Sequence, residues 1–119
     1  MGRDRATRQA GWSVESYTDR RGKSAPVEFI ESSPAKERAK VARTLELLQE
    51  FGLALGLPHA WPIEGLWELR AGTGRLFYFA HTGRRFIILH GYHKKGRKAP
   101  RREIETALRR MALFLEGQQ

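Results

Sequence analysis

The sequence predicts an α+β domain of element order β-α-α-β-β-β-α, with the helices packed on one face of a mostly antiparallel sheet. Two observations support this fold. Three strand-like segments follow one another closely in the second half of the chain, joined by glycine-containing links of hairpin length. Segments with apolar residues at helical spacing lie before and after them. We expect the opposite face of the sheet either to meet solvent or to bind a partner.

The first half of the chain is expected to form one strand and two helices. Residues 12–17 alternate between large apolar and polar side chains, as in a half-buried strand. Residues 26–31 are predicted to form a short helix. A longer helix should begin at Ser33-Pro34 and end at Gly52, because serine caps a helix and glycine ends it. Residues 53–62 are predicted to form a connecting loop. The predicted buried stripe of the longer helix is Val41, Leu45 and Leu48.

The second half should form an antiparallel meander followed by a helix. Its strands are predicted at residues 65–70, 75–80 and 86–93. Residues 94–99 form a basic loop, and Pro100 opens the last helix. The apolar face of that helix is expected to comprise Ile104, Leu108, Met111 and Leu115.

Length and composition exclude several classes of protein. The 119 residues suit one domain, which we place at residues 12–119 behind a flexible basic tail of residues 1–11. Cysteine is absent, so disulfides, thiolate zinc sites and cysteine nucleophiles are excluded. No apolar run approaches the roughly 20 residues that span a bilayer, and the amino terminus lacks the apolar core of a signal peptide. We expect a cytoplasmic protein that does not associate with membranes.

The positive charge predicts a polyanionic partner. The chain has a formal net charge of +9, and residues 84–102 contain eight Lys or Arg and no Asp or Glu. Such a run is often only a solvated surface. Here it has one sign and follows an apolar strand, which favours nucleic-acid binding. The candidate RNA-binding residues in it are Arg84, Arg85, Lys95, Arg97 and Lys98.

Two arginines flank the first link of the meander. Arg70 ends one predicted strand and Arg75 begins the next. Either alone could be a solvated strand end. Facing each other across a hairpin, however, they repel unless an anion lies between them. Since a guanidinium group matches two phosphate oxygens, the pair is a candidate phosphate clamp.

The third meander strand ends in a histidine-rich and basic segment. His90 and His93 are three residues apart on a strand, so they point to opposite faces and cannot readily chelate one metal ion. No metal or cofactor is therefore expected. His90 suits a buried, hydrogen-bonded position, whereas His93 is a candidate for proton transfer. Tyr92 is either a core aromatic or a residue that stacks on a base or contacts a phosphate.

Five segments carry a family resemblance: Gly65–Arg70, Arg75–Phe79, Ile88–Lys95, Lys98–Pro100 and Glu103–Ala107. Together they resemble the phage Gp49-like/HigB branch of the RelE toxin superfamily. The match extends over roughly residues 12–115 and is strongest from Gly65 to Ala107. That branch often has Phe at the position of Tyr92, so a role for the hydroxyl does not follow from the resemblance.

The resemblance implies a RelE-like fold and a toxin of a type II toxin–antitoxin system. Such toxins cleave messenger RNA, generally on the ribosome, and a small antitoxin neutralises them. The antitoxin is expected to be of the helix-turn-helix type, with operator DNA contacted only through it. By match to the family's motifs, the expected catalytic residues are Arg70, Arg75, Tyr92, His93 and Lys94.

These residue types suit a metal-independent endoribonuclease. A ribose 2′-hydroxyl would attack the adjacent phosphate, so the protein need only position the RNA, move protons and stabilise charge. Two other classes remain open. A non-catalytic RNA- or DNA-binding module of the same fold would show the same basic run, and a protein-interaction domain would bind RNA negligibly at physiological salt.

Overall fold

The computed structural model describes residues 11–117 of the chain. Its five-stranded sheet has the order β1-β5-β4-β3-β2, with β1 parallel to β5 and all other neighbours antiparallel. The predicted α+β class and element order are confirmed, with one additional strand. Except for Gly11, the predicted tail lies outside the described residues. The elements are β1 (Ser13–Ser16), α1 (Ala25–Ser32), α2 (Ala35–Phe51), β2 (Ala60–Ile63), β3 (Leu66–Ala71), β4 (Gly74–His81), β5 (Arg85–His93) and α3 (Arg101–Gly117).

Local sequence signals explain the helix boundaries. The Ser24 side chain caps α1 by accepting a hydrogen bond from the Val27 amide at 3.4 Å. Helix α2 ends at Phe51 because Gly52 adopts a left-handed φ of +58°. A side chain at Gly52 would also collide with the Trp12 indole, so the close approach of β1 to this helix end requires glycine.

Helices cover both faces of the sheet, so the prediction that they share one face was wrong. Helices α1 and α2 pack on one face, against a cluster that includes Leu69, Leu76 and Ile88. Helix α3 packs on the opposite face through Ile104 and Ala107. The physical reason is that β4 and β5 are apolar at nearly every position, and alternation places half of those side chains on each face.

Strand β2 begins within the segment that was predicted to be a loop and extends one residue beyond it. Two prolines at positions 58 and 62 indicated a loop, because proline cannot donate to a sheet ladder. Pro62 is tolerated because β2 is an edge strand that pairs only with β3. Trp61 of this strand is largely exposed.

The register of the three central strands aligns the predicted site residues. Arg70 of β3 pairs with Arg75 of β4, and Arg75 pairs with Tyr92 of β5. Two rows further along the sheet, on the same face, Glu68, Phe77 and His90 are aligned in the same way. No helix among residues 11–117 has both the length and the apolar character needed to cross a bilayer.

Gly91 offers a test of the packing between α1 and the sheet. A Cβ atom there would meet the Phe29 ring and would lie 2.9 Å from Cδ2 of Leu76. Gly91→Ala should therefore lower the free energy of unfolding by about 1–3 kcal/mol, as measured by urea denaturation. Gly96→Ala is the matched control, because a Cβ atom at Gly96 meets nothing within 4 Å. Equal stability of the two variants would contradict this packing.

Candidate nucleic-acid site at the end of the sheet

Basic side chains converge on a small cavity where β3, β4 and β5 meet the loop before α3. The cavity has a volume of about 170 Å³. Of the ten predicted site residues, six line it, so the strand register and the loop bring more than half of them together. The lining residues are Glu68, Arg70, Arg75, Tyr92, Lys94, Gly96, Arg97, Lys98 and Ala99.

The two arginines of the predicted clamp are held by different partners. Arg75 Nη1 donates to the carbonyl oxygens of Gly72 and Gly74, both at 2.9 Å. Arg70 Nε donates to Glu68 Oε1 at 3.2 Å, and its guanidinium group lies 5.7 Å from the centre of the Trp61 ring. Each guanidinium is thereby oriented but keeps further N–H groups for an anion.

A buried carboxylate at the base of the cavity is the residue that sequence reasoning missed. Glu68 is only 5% exposed, and its Oε2 accepts a hydrogen bond from the Tyr92 hydroxyl at 3.0 Å. Burial raises the pKa of Tyr92 well above its ordinary value, and the Glu68 charge raises it further. Tyr92 is therefore a neutral hydroxyl donor at neutral pH. Strand alternation, which places Glu68 on the face of Arg70, was the available signal.

Tyr92 combines the two interpretations that the sequence left open. It is 8% exposed and packs 5.6 Å from Phe77, centre to centre, which is the environment of a core aromatic. It also lines the cavity. Its burial leaves little ring surface for stacking on a base, so the hydroxyl is the group that it offers to a ligand.

The basic loop closes the cavity on its outer side. The Lys94 amide donates to the Thr73 carbonyl at 2.8 Å, which fastens the start of the loop to the β3–β4 turn. Lys94, Arg97 and Lys98 line the cavity, whereas Lys95 does not. All four side chains are exposed.

His93 lies on the other face of the sheet and does not line this cavity. Its Nδ1 is 2.8 Å from Oε2 of Glu37 on α2, and its ring packs 4.8 Å from that of Phe29 on α1. Adjacent residues on a strand point to opposite faces, so Tyr92 and His93 cannot both face the cavity. The expected grouping of these two residues is not observed.

Arg84 and Arg85 lie at the opposite end of the sheet. Arg85 begins β5 and forms a two-pronged ion pair with Glu15, with contacts of 2.6 and 3.1 Å. Tyr92 lies seven positions after Arg85 in β5, a distance of roughly 23 Å at the rise of an extended strand. The uninterrupted basic run in the sequence is therefore divided between two ends of the molecule.

His90 is hydrogen-bonded, as the sequence predicted, but only partly buried, with its side chain 16% exposed. Its Nε2 is 2.6 Å from Glu103 Oε1, and Arg110 Nη1 lies 3.1 Å from its Nδ1. Because the arginine can only donate, Nδ1 accepts and the proton resides on Nε2. Burial lowers the pKa of His90, and the charges of Arg110 and Arg109 lower it further, against the opposing effect of Glu103. Among residues 11–117, no group of three or more potential ligands could hold a metal ion.

Comparison with known proteins identifies the family. The family model described as phage-derived protein Gp49-like matches residues 28–112. The chain belongs to this family. The family model thus covers all five segments on which the resemblance was based. No curated protein sequence matches the chain significantly.

The fold of this Gp49-like protein also occurs in a solved structure. It aligns with a chain from the crystal structure of the toxin–antitoxin complex RelBE2 of Mycobacterium tuberculosis, with a TM-score of 0.54 and 19% sequence identity. The alignment covers 71% of the Gp49-like chain and 99% of the other chain. The predicted RelE-like fold is confirmed.

The His90 network should make the stability of the Gp49-like protein depend on pH. The folded state lowers the pKa of His90, while the unfolded chain has the ordinary value of about 6.5. Between those two values the unfolded state binds more protons, so this stabilisation is complete above about pH 6.5 and is lost as the pH falls.

Urea unfolding at pH 7.5 and pH 5 would measure this effect. We expect His90→Gln, which cannot titrate, to lose less stability than the wild type over that interval. His59→Gln is the control, because no hydrogen bond joins its side chain to this network, and it should behave like the wild type. An identical loss in wild type and His90→Gln would contradict the assignment.

Proposed function

We propose that this Gp49-like protein is the toxin of a toxin–antitoxin pair and cleaves messenger RNA without a metal ion. One observation carries the proposal: Arg70, Arg75 and Lys94 converge on a cavity that also contains the Glu68–Tyr92 pair. Such a cavity offers several cationic donors for a phosphate and one carboxylate for a proton.

The RNA itself supplies the nucleophile in this reaction. The ribose 2′-oxygen attacks the adjacent phosphorus, the bond from phosphorus to the 5′-oxygen breaks, and the products carry a 2′,3′-cyclic phosphate and a 5′-hydroxyl. Arg70 and Arg75 stabilise the extra negative charge on the phosphate oxygens in the transition state. Arg97 and Lys98 bind the neighbouring phosphates and hold the strand in place.

Proton transfer is assigned to the Glu68–Tyr92 pair rather than to His93. The neutral Tyr92 hydroxyl donates to Glu68 and can accept a hydrogen bond from the 2′-hydroxyl. As the 2′-oxygen attacks, its proton passes to Tyr92 while the tyrosine proton passes to Glu68. The Lys94 ammonium gives a proton to the departing 5′-oxygen, which balances the step.

The proposed partners of the toxin are an antitoxin and the translating ribosome. The aligned chain comes from a toxin–antitoxin complex, which supports a cognate antitoxin for this chain as well. We propose an antitoxin of the helix-turn-helix type that alone contacts operator DNA. The net charge of +9 supports binding to messenger RNA on the ribosome, in the cytoplasm.

Arg75→Ala tests the proposed cleavage. Loss of a donor to the transition-state charge should lower the rate of RNA cleavage by about 10²-fold or more in buffer containing EDTA, with the protein still folded and unfolding cooperatively on heating. Arg20→Ala is the control, since Arg20 is exposed and lies outside the cavity. Mapping RNA 5′ ends after induction gives the readout in cells. RNA protected without new 5′ ends would indicate a non-catalytic binding module instead.

Glu68→Gln and His93→Gln compare the two candidates for proton transfer. Glu68→Gln preserves the shape of the side chain but removes the base, so kcat should fall by about 10²–10⁴-fold. Binding of an uncleavable 2′-O-methyl RNA should change little. His93→Gln should retain most of the wild-type kcat, because His93 lies on the opposite face of the sheet. The reverse ranking of the two variants would refute this assignment.

A further inference from the structure

A second basic surface lies beside the β3–β4 turn, on the side of helix α2. It is a shallow groove of about 730 Å³. Two of its basic residues, Arg70 and Arg75, also line the cavity, so the groove and the cavity adjoin each other. Its lining contains no Asp or Glu and comprises Lys36, Ala39, Lys40, Arg43, Thr44, Pro58, His59, Arg70, Ala71, Gly72 and Arg75.

The cations of this groove are close together at the turn. A Cβ atom built on Gly72 would lie 3.7 Å from the Lys40 ammonium nitrogen and 3.3 Å from its Cδ. The Gly72 carbonyl also accepts a hydrogen bond from the Arg75 guanidinium. Lys40 and Arg75 therefore approach the same residue from α2 and from β4. Grouped like charges favour an anion between them, because their mutual repulsion is otherwise uncompensated.

Two glutamates of α2 have partners other than Lys40 and Arg75. Glu37 accepts a hydrogen bond from the Thr73 hydroxyl at 3.1 Å and lies against His93. Glu46 pairs with Arg43 at 3.5 Å, but both side chains are about two thirds exposed, so this pair is weak. Neither carboxylate lines the groove.

We propose that this groove binds the phosphate backbone of the RNA strand next to the linkage that is cleaved. The inference rests on the proposed function, since it extends the path of the same strand. An RNA strand fits better than a small anion because the groove is open and continuous with the cavity through Arg70 and Arg75. A basic groove that follows the backbone is the usual way to bind a single strand without reading its sequence.

Oligonucleotides of two lengths test the groove in the full-length protein. The probes are fluorescent 2′-O-methyl RNAs of four and twelve nucleotides, and binding is followed by anisotropy. The double variant Lys40→Gln/Arg43→Gln should bind the 12-mer about 100-fold more weakly, or about tenfold for each of the two lost charge-assisted contacts. The slope of log Kd against log salt should shrink by about 1.4, or 0.7 for each phosphate contact. The 4-mer, which we expect to bind at the cavity without reaching Lys40 and Arg43, should bind as it does to the wild type.

Lys23→Gln/Arg20→Gln removes the same charge outside the groove and is the matched control. Its affinity for the 12-mer should stay close to that of the wild type. If both double variants weaken binding of the 12-mer equally, the effect is due to the change in net charge, and the groove is not a binding site for RNA. Weaker binding of the 4-mer to Lys40→Gln/Arg43→Gln would also contradict the proposal.

Two further outcomes separate the groove from the proposed function. If the wild type cleaves RNA in an Arg75-dependent manner but binds both lengths equally, the groove fails and the proposed function stands. If the wild type binds neither RNA, both proposals fail.

A glutamate-rich peptide with the same charge as the 12-mer tests for a protein partner. If it binds as tightly as the RNA and its binding depends equally on Lys40 and Arg43, the groove is a protein-docking surface and the RNA proposal is overturned.

Discussion

The site depends on the register of β3, β4 and β5. Antiparallel pairing puts Arg70, Arg75 and Tyr92 in one row, and the next row on the same face contains Glu68. Two arginines that face each other across a hairpin would destabilise it. Glu68 binds Arg70, and the carbonyl oxygens of the turn bind Arg75, so the fold itself holds both cations in place before any ligand arrives. This preorganisation is what a phosphate-stabilising site requires.

Coverage of both sheet faces by helices determines which residues can act together. The α3 face and the open end beyond it contain Tyr92, and the opposite face contains His93 in contact with α1 and α2. His90, although it lies on the same face as Tyr92, is held by Glu103 and Arg110 of α3 and serves to attach that helix. Tyr92, His93 and His90, the three ring-bearing side chains at the end of β5, therefore have different surroundings: the cavity, helices α1 and α2, and helix α3.

The β3–β4 turn is the centre of the basic surface. The loop before α3 is fastened to it through Lys94, and α2 approaches it through Lys40. Cations from three separate parts of the chain thereby surround one short turn, with Glu68 buried beneath them. Under the proposed function, the cavity is where the linkage breaks and the groove is where the strand continues.

The sequence by itself determined the α+β class, the order of the elements apart from β2, the pairing of Arg70 with Arg75 and the hydrogen-bonded, partly buried position of His90, because these follow from local spacing and short links. It could not determine which face α3 would cover, since apolar residues on both faces of β4 and β5 allow either arrangement. It also could not show that β2 pairs with β3 despite its proline. The role of Glu68, and the separation of Arg85 from the cavity, were decided only by the tertiary structure, because both depend on contacts between residues distant in the chain.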